Sequence, residues 1–211
     1  VIIGGSVLAL EPRTKLRRKT GMILTTLAAP AAEPVSLAEA KDYLRIGGDG
    51  EDGLVGSMIA GARARIEALA NVAMITRTLR VTMDWWPRGA VEKRTVVMPV
   101  RPADELVAVR VFNGSEVPQT VTERFTLARG RSARLVWTDG AFPWPGQRYN
   151  GIEIDYAAGF GEEPDDVAEG LRLAVKRLAA HAYHARDAET LTGPLPDDVK
   201  GLISPWRRVR L

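Results

Sequence analysis

The sequence predicts an α+β protein: a small helical bundle built from both chain ends, with an antiparallel β-domain inserted between them. Three observations carry this. Ser36 and Glu39 have capping-box spacing in front of a helical apolar stripe. From Ile75 the apolar period changes from helical to alternating. After Pro164 the helical period returns. Helices at both ends with strands between them favour one bundle interrupted by a sheet over two consecutive domains.

The first helix is predicted to begin at Ser36, with Leu37, Ala40, Tyr43 and Leu44 on one face. A glycine-rich acidic turn, GGDGEDG, leads to a second, longer helix with Leu54, Met58, Ala62, Ile66 and Leu69 as its apolar stripe. Arg63, Arg65 and Glu67 fall mainly on the other side. Asn71 is suited to close this helix in a left-handed conformation. Beyond it, Ile75, Arg77, Leu79, Val81 and Met83 alternate with threonines and Arg80, as a strand requires. Five further strands are expected at Thr95–Met98, Leu106–Phe112, Phe125–Ala128, Arg134–Trp137 and Gly151–Tyr156, with Asn113-Gly114 as a hairpin turn. The loop 139–150 carries Phe142, Pro143, Trp144 and Pro145, and its prolines make it stiff. Pro164 suits the first position of the third helix, whose stripe is Val167, Leu171, Ala174, Leu178 and Ala182. Residues 197–203 are long enough for two more helical turns before Ser204-Pro205 stops them. The predicted boundaries are therefore 22–35 as an N-terminal arm, 36–74 and 162–203 as the bundle, 75–161 as the β-domain, and 204–211 as a basic tail.

A chain of 211 residues holds one good core or two small ones. The absence of cysteine excludes disulfides and thiolate metal sites. No apolar run approaches the roughly 20 residues of a membrane span, so no membrane partner is expected. Net charge is +3, but residues 1–21 hold five basic residues against Glu11 and account for +4, leaving −1 for the remainder. The sequence opens on Val1, and Met22 precedes an uncharged Thr/Ala/Pro stretch. Residues 1–21 are accordingly expected to be a non-native upstream extension. They also make a poor signal peptide, because the apolar run precedes the positive charges.

Gly48, Gly50 and Gly53 match a dinucleotide fingerprint, but a helix leads into them, and Asp49, Glu51 and Asp52 would repel a phosphate. A calcium loop starting at Asp49 would need an acid where Ala60 stands. His181 and His184 are spaced to face one metal, with Asp187 or Glu189 as nearby donors, yet no full ligand set assembles. Two histidines beside Tyr183 near a helix's C-terminal end more often make a half-buried interface or a favourable dipole contact. Asp165-Asp166 and Asp197-Asp198 each open a helix, where capping explains them. Asn113-Gly114-Ser115 fits a glycosylation sequon with nothing to suggest secretion. No nucleophilic elbow, cysteine or phosphate-loop lysine is present, so no enzyme, cofactor or metal is predicted. The tail Trp206-Arg207-Arg208-Val209-Arg210-Leu211 is either a solvated basic end or a docking segment, since an exposed tryptophan beside arginines has the composition of an interface hot spot.

The order of capped short helix, acidic turn, helix ending in ARIEAL, and ITRTLR strand, with GIEIDYAAGFGEEPDDV and PWRRVRL further on, resembles the head–tail connector proteins of long-tailed phages. It is most similar to the adaptor of phage-like gene transfer agents, from about Pro34 to Leu211. The resemblance implies a structural adaptor at the head–tail vertex of a virion-like particle assembled in a bacterial cytoplasm. Such proteins form a homo-oligomeric ring, usually of about twelve copies, under the portal protein; the ring extends the DNA channel and lets DNA pass without specific binding. It further implies portal contact through Trp206, Arg207, Arg208, Val209 and Arg210. A head-completion or tail-terminator protein is expected on the opposite side, against Phe142, Trp144 and Arg148 of the β-domain. Two other classes stand beside it: a DNA-binding protein using its basic ends as phosphate contacts, and a small enzyme centred on His181 and His184.

Overall fold

The computed structural model describes residues 21–114, 117–129, 132–185 and 193–207. A helical bundle and a β-domain each enclose a hydrophobic cluster of their own. The capping box at Ser36 forms as expected: the Glu39 N–H donates to Ser36 Oγ at 3.2 Å, and the Ser36 N–H donates to Glu39 Oε2 at 3.0 Å. Helix α1 then runs Leu37–Leu44. Val35 before the cap and Ala40 after it are both buried, fixing the angle at which the chain enters. Tyr43, placed on the buried face by periodicity, is instead 45% exposed, because only a narrow arc around Ala40 meets the bundle.

Helix α2 spans Asp52–Ala70 and closes on Asn71 in the left-handed conformation. Its buried stripe is Val55, Ile59, Ala62, Ile66 and Ala70, one step round from the predicted one, and Leu54 and Leu69 are exposed. Both stripes share Ala62 and Ile66, so spacing alone did not separate them. Small residues on the inner arc let α2 approach helix α4 (Glu169–Ala185) closely. All five residues of the expected stripe are buried, four of them, Leu171, Ala174, Leu178 and Ala182, on helix α4. It begins later than Pro164, however: Pro164–Asp166 is a separate 3-10 turn, and Val167 is extended before the helix starts. Helix α5, Asp197–Ile203, inserts Val199 and Ile203 into the same core. Arg172 of α4 ties the bundle together, donating to the Pro34 carbonyl at 3.2 Å, to Glu39 at 2.6 Å and to Asp165 at 2.9 Å.

Among the described residues the β-domain has eight strands: β1 Met22–Thr26, β2 Arg77–Met83, β3 Thr95–Val97, β4 Ala103–Val111, β5 Gln119–Thr120, β6 Phe125–Ala128, β7 Arg134–Trp137 and β8 Ile152–Ala158. They form a five-stranded sheet in the order β1-β2-β8-β4-β5 and a three-stranded sheet in the order β3-β7-β6, all antiparallel. The two sheets enclose one cluster, with Leu79, Val81 and Met83 of β2 meeting Ile152, Ile154 and Tyr156 of β8. Two of these strands were not foreseen. The first five residues of the expected arm 22–35 are β1, paired with Met83 to Leu79 of β2, and the chain bends repeatedly between them and Ser36. Strand β5 returns to β4 only after a connection through residues 112–118, longer than the tight turn expected at Asn113-Gly114. A short helix α3, Ala90–Lys93, also follows Gly89.

The two cores meet at a buried charge. Glu67, expected on the outer side of α2, is 6% exposed and accepts from the Met74 N–H at 2.7 Å, from Arg77 Nη1 and Nη2 at 2.9 and 2.8 Å, and from Arg63 Nη1 at 3.0 Å. Short bridges pair Val72 with Arg101 and Ile75 with Gly161. Bundle and sheet therefore join through backbone as well as through Glu67.

Candidate functional site

Three surfaces carry the residues singled out from the sequence. At the C-terminal end, α5 passes into a single 3-10 turn, Ser204–Trp206. Trp206 is half-buried rather than exposed: its ring lies edge-on to Phe160 with centroids 5.3 Å apart, and its carbonyl accepts from Arg101 Nη2. The proline stop turns the chain back instead of releasing it, and the indole finds apolar surface at the seam between bundle and sheet. Arg207 is exposed, and Arg208, Val209 and Arg210 lie outside the described residues. Trp206 thus ties the end of the described chain to Phe160 and Arg101.

The second surface is the 139–150 loop. Phe142 is half-buried at the centre of an aromatic chain, 5.2 Å from Trp86, 4.8 Å from Trp137 and 5.4 Å from Trp144, with Trp85 6.3 Å beyond Trp144. Tilted and edge-to-face contacts of this kind fix ring positions as well as bury area. The Trp86 indole N–H donates to the Pro143 carbonyl at 2.6 Å. Gly146 lies so close to Asn113 that a β-carbon would fall 2.7 Å from its carbonyl oxygen, and the Gly146 N–H donates to the Phe112 carbonyl at 2.9 Å. Gln147 bridges the carbonyls of Tyr149 and Asn150 at 2.8 Å each, and the Asn150 N–H donates to Asp84 at 2.9 Å. The loop is a rigid platform, as its prolines predict. Trp144, 55% exposed, and Tyr149, 64% exposed, project from it, and the Arg148 guanidinium stands 5.4 Å from the Tyr149 ring. Phe142 therefore supports, while Trp144 and Arg148 present. Tyr149 and Trp85 escaped the sequence reading; the Arg148-Tyr149 pairing beside a left-handed Asn150 was the available signal.

The third surface is a shallow open groove lined by Tyr43, Arg177, Ala180, His181, His184 and Asp198. The two histidines do share it. His181 Nε2 is 3.3 Å from Asp198 Oδ1, and Arg177 Nη1 is 3.5 Å from Oδ2. Partial burial works to raise the Asp198 carboxyl, but His181, the Val199 N–H and Arg177 outweigh it and hold the group below its ordinary range. Asp198 thus pins α5 to α4, a role beyond the capping expected of it, and α5 has no side-chain cap at Pro196. No cluster of three metal-ligating side chains occurs among the described residues, and Asp187 and Glu189 lie outside them. In the glycine-rich turn, Lys41 pairs with Asp49 at 2.9 Å and Asp52 at 2.6 Å, so these acids hold α1 to the start of α2. Among the described residues no helix is long and apolar enough to cross a membrane.

No protein-family model matches the chain, and no curated protein matches it. Solved structures do. The chain is similar to one from the neck of an empty gene transfer agent particle with C6 symmetry, at 28% identity and a TM-score of 0.76, covering 90% of this chain and 97% of that one. A chain from the virion of a native gene transfer agent particle matches at 27% identity, TM-score 0.76 and the same coverage. One from the neck of a native particle with C12 symmetry matches at 26% identity and TM-score 0.74, again over 90% and 97%.

Proposed function

We propose that this chain is a structural neck component of a gene transfer agent or related phage-like particle, acting as the head–tail connector beneath the portal. The observation that carries this is the match to a neck chain over 90% of this chain and 97% of that one, bundle, β-domain and seam together. In this reading copies of the chain close into a ring, twelve in number, which the C12 symmetry of a matching neck supports. The work is mechanical: a closed ring repeats one modest contact many times, so avidity seals a joint that one contact could not. DNA passes through without specific binding, in keeping with the −1 balance of residues 22–211. No chemistry on a substrate is required.

The two ends of the joint are assigned to two surfaces. Trp206 anchors the C-terminal segment, and Arg207, Arg208, Val209 and Arg210 reach the portal protein. Trp144 and Arg148, propped by Phe142, face the head-completion or tail-terminator protein, because exposed aromatics and arginine on a rigid loop lose little entropy on docking. Ending the chain after Trp206 keeps the anchor and removes the reach. Particles made with that variant are expected to give DNA-filled heads without tails by electron microscopy; normal tail attachment would contradict the portal assignment.

A further inference from the structure

Two of the three asparagines of this chain, Asn113 and Asn150, are each followed by glycine, and the two pairs meet at the base of the aromatic platform. There the Phe112 N–H donates to the Gly151 carbonyl at 3.0 Å, and the Gly146 and Gln147 N–H groups donate to the Phe112 carbonyl at 2.9 and 3.3 Å. An asparagine before glycine is open to attack by the next backbone nitrogen, because glycine has no β-carbon to shield that nitrogen. The attack needs the peptide plane between the two residues to turn and the glycine nitrogen to leave its native position.

Asn150-Gly151 allows neither movement. Asn150 stands in the left-handed region at φ 50°, its N–H donates to Asp84 Oδ1 at 2.9 Å, and its carbonyl accepts from Gln147 Nε2 at 2.8 Å. Gly151 is buried, and a β-carbon there would fall 2.6 Å from Pro145 and 2.8 Å from the Asp84 carbonyl oxygen. Asn113-Gly114 allows both. The two residues are exposed, and among the described residues no hydrogen bond holds the Asn113 side chain or the Gly114 N–H. Gly114 takes φ 86° with open space around it, and the Asn113 carbonyl rests on Gly146 through packing alone.

We propose that Asn113-Gly114 is a site of spontaneous deamidation whose conversion loosens the aromatic platform, while the fold protects Asn150-Gly151. The Gly114 nitrogen gives its proton to solvent and bonds to the Asn113 side-chain carbonyl carbon. The bond from that carbon to the side-chain nitrogen breaks, and ammonia leaves with a proton. Water then opens the cyclic imide, at the side-chain carbonyl to leave aspartate or at the backbone carbonyl to leave isoaspartate, with no change of oxidation state. Either product carries a new negative charge. Isoaspartate also inserts a methylene into the main chain beside Gly146, where a β-carbon would already fall 2.7 Å from the Asn113 carbonyl oxygen. The bonds from Gly146 and Gln147 to Phe112 then give way, and they carry the loop that presents Trp144 and Arg148.

The test ages the purified full chain at mildly alkaline pH, folded and in urea. Digestion with trypsin then places Asn113 in residues 111–124 and Asn150 in residues 149–172, and mass spectrometry reads each. In the folded protein the reaction is expected to run about tenfold faster at Asn113 than at Asn150, the factor that one restraining hydrogen bond supplies, and the two rates converge in urea. Equal rates in the folded protein, faster reaction at Asn150, reaction at Asn113 only in urea, or a difference that persists in urea would each overturn the proposal. Hydrogen exchange at the amides of residues 146 and 147 is expected to rise as isoaspartate accumulates at Asn113, and to stay at its starting value in Asn113→Gln aged alongside. Unchanged exchange in the converted protein would overturn the link to the platform.

Discussion

Two carboxylates are buried among arginines, Glu67 at the seam between bundle and β-domain and Asp155 inside the five-stranded sheet. Glu67 satisfies Arg63, Arg77 and the Met74 N–H at once, at the point where α2 hands over to β2. Removing it strands the Arg77 guanidinium in a poorly solvated seam, while Arg63 keeps Glu33 at 2.6 Å. Glu67→Ala is therefore expected to cost about 3–5 kcal/mol in denaturant unfolding; a loss below about 1 kcal/mol, as for a surface pair, would show the network to be dispensable. Asp155 sits 3% exposed between Arg80 at 2.7 Å and Arg110 at 2.7 Å. Burial alone would raise its carboxyl, but the two arginines outweigh burial and hold it below the ordinary range. A depressed folded-state value means the unfolded chain binds the proton more readily. The stabilisation is thus fully present above the unfolded value of about 3.9 and is lost as pH falls through that region towards the folded value. Asp155→Asn is expected to lower stability at neutral pH and to flatten the acid limb of the stability curve, measured by thermal unfolding across pH. Neither carboxylate was legible in the sequence as a structural centre, because Arg77, Arg80 and Arg110 come from other elements and burial depends on where those elements land.

At the scale of elements, legibility followed how local the deciding interactions are. Helices α1 and α4 were readable because Ser36 and Glu39 cap within one turn and a single stripe runs from Val167 to Ala182. Helix α2 offered two stripes of equal spacing, and the choice between them was made by α4, which is distant in sequence. Strand β1 had no alternation to reveal it, since MILTT is apolar on both faces, and it becomes a strand only by pairing with β2. The C-terminal turn was misread for a related reason: a tryptophan among arginines has the composition of a free hot spot, yet Phe160 and Arg101 receive it. Trp206→Ala is accordingly expected to lower the stability of the isolated protein by about 1–2 kcal/mol, the burial of half an indole, whereas ending the chain after Trp206 leaves the thermal midpoint unchanged. Equal effects of the two changes would place the stabilising contact beyond Trp206 instead.

For the whole molecule, the helix–sheet–helix order was legible from periodicity, and its correspondence to a neck protein from an ordered set of phrases that no catalytic motif interrupts. What sequence could not supply is the distribution of function over the surface. Trp206 is held at Phe160 and Arg101, the aromatic platform stands on the β-domain, and the histidine groove lies on the bundle. Those positions suit a body contacted on several sides at once, which is the demand a joint between head and tail makes. Cryo-electron microscopy of the head–tail vertex in purified particles tests this most directly. The account predicts a ring of this chain between portal and tail, with the segment after Trp206 against the portal and the Trp144–Tyr149 loop towards the tail. A vertex in which this chain is absent, or in which it binds outside the channel axis, would contradict it.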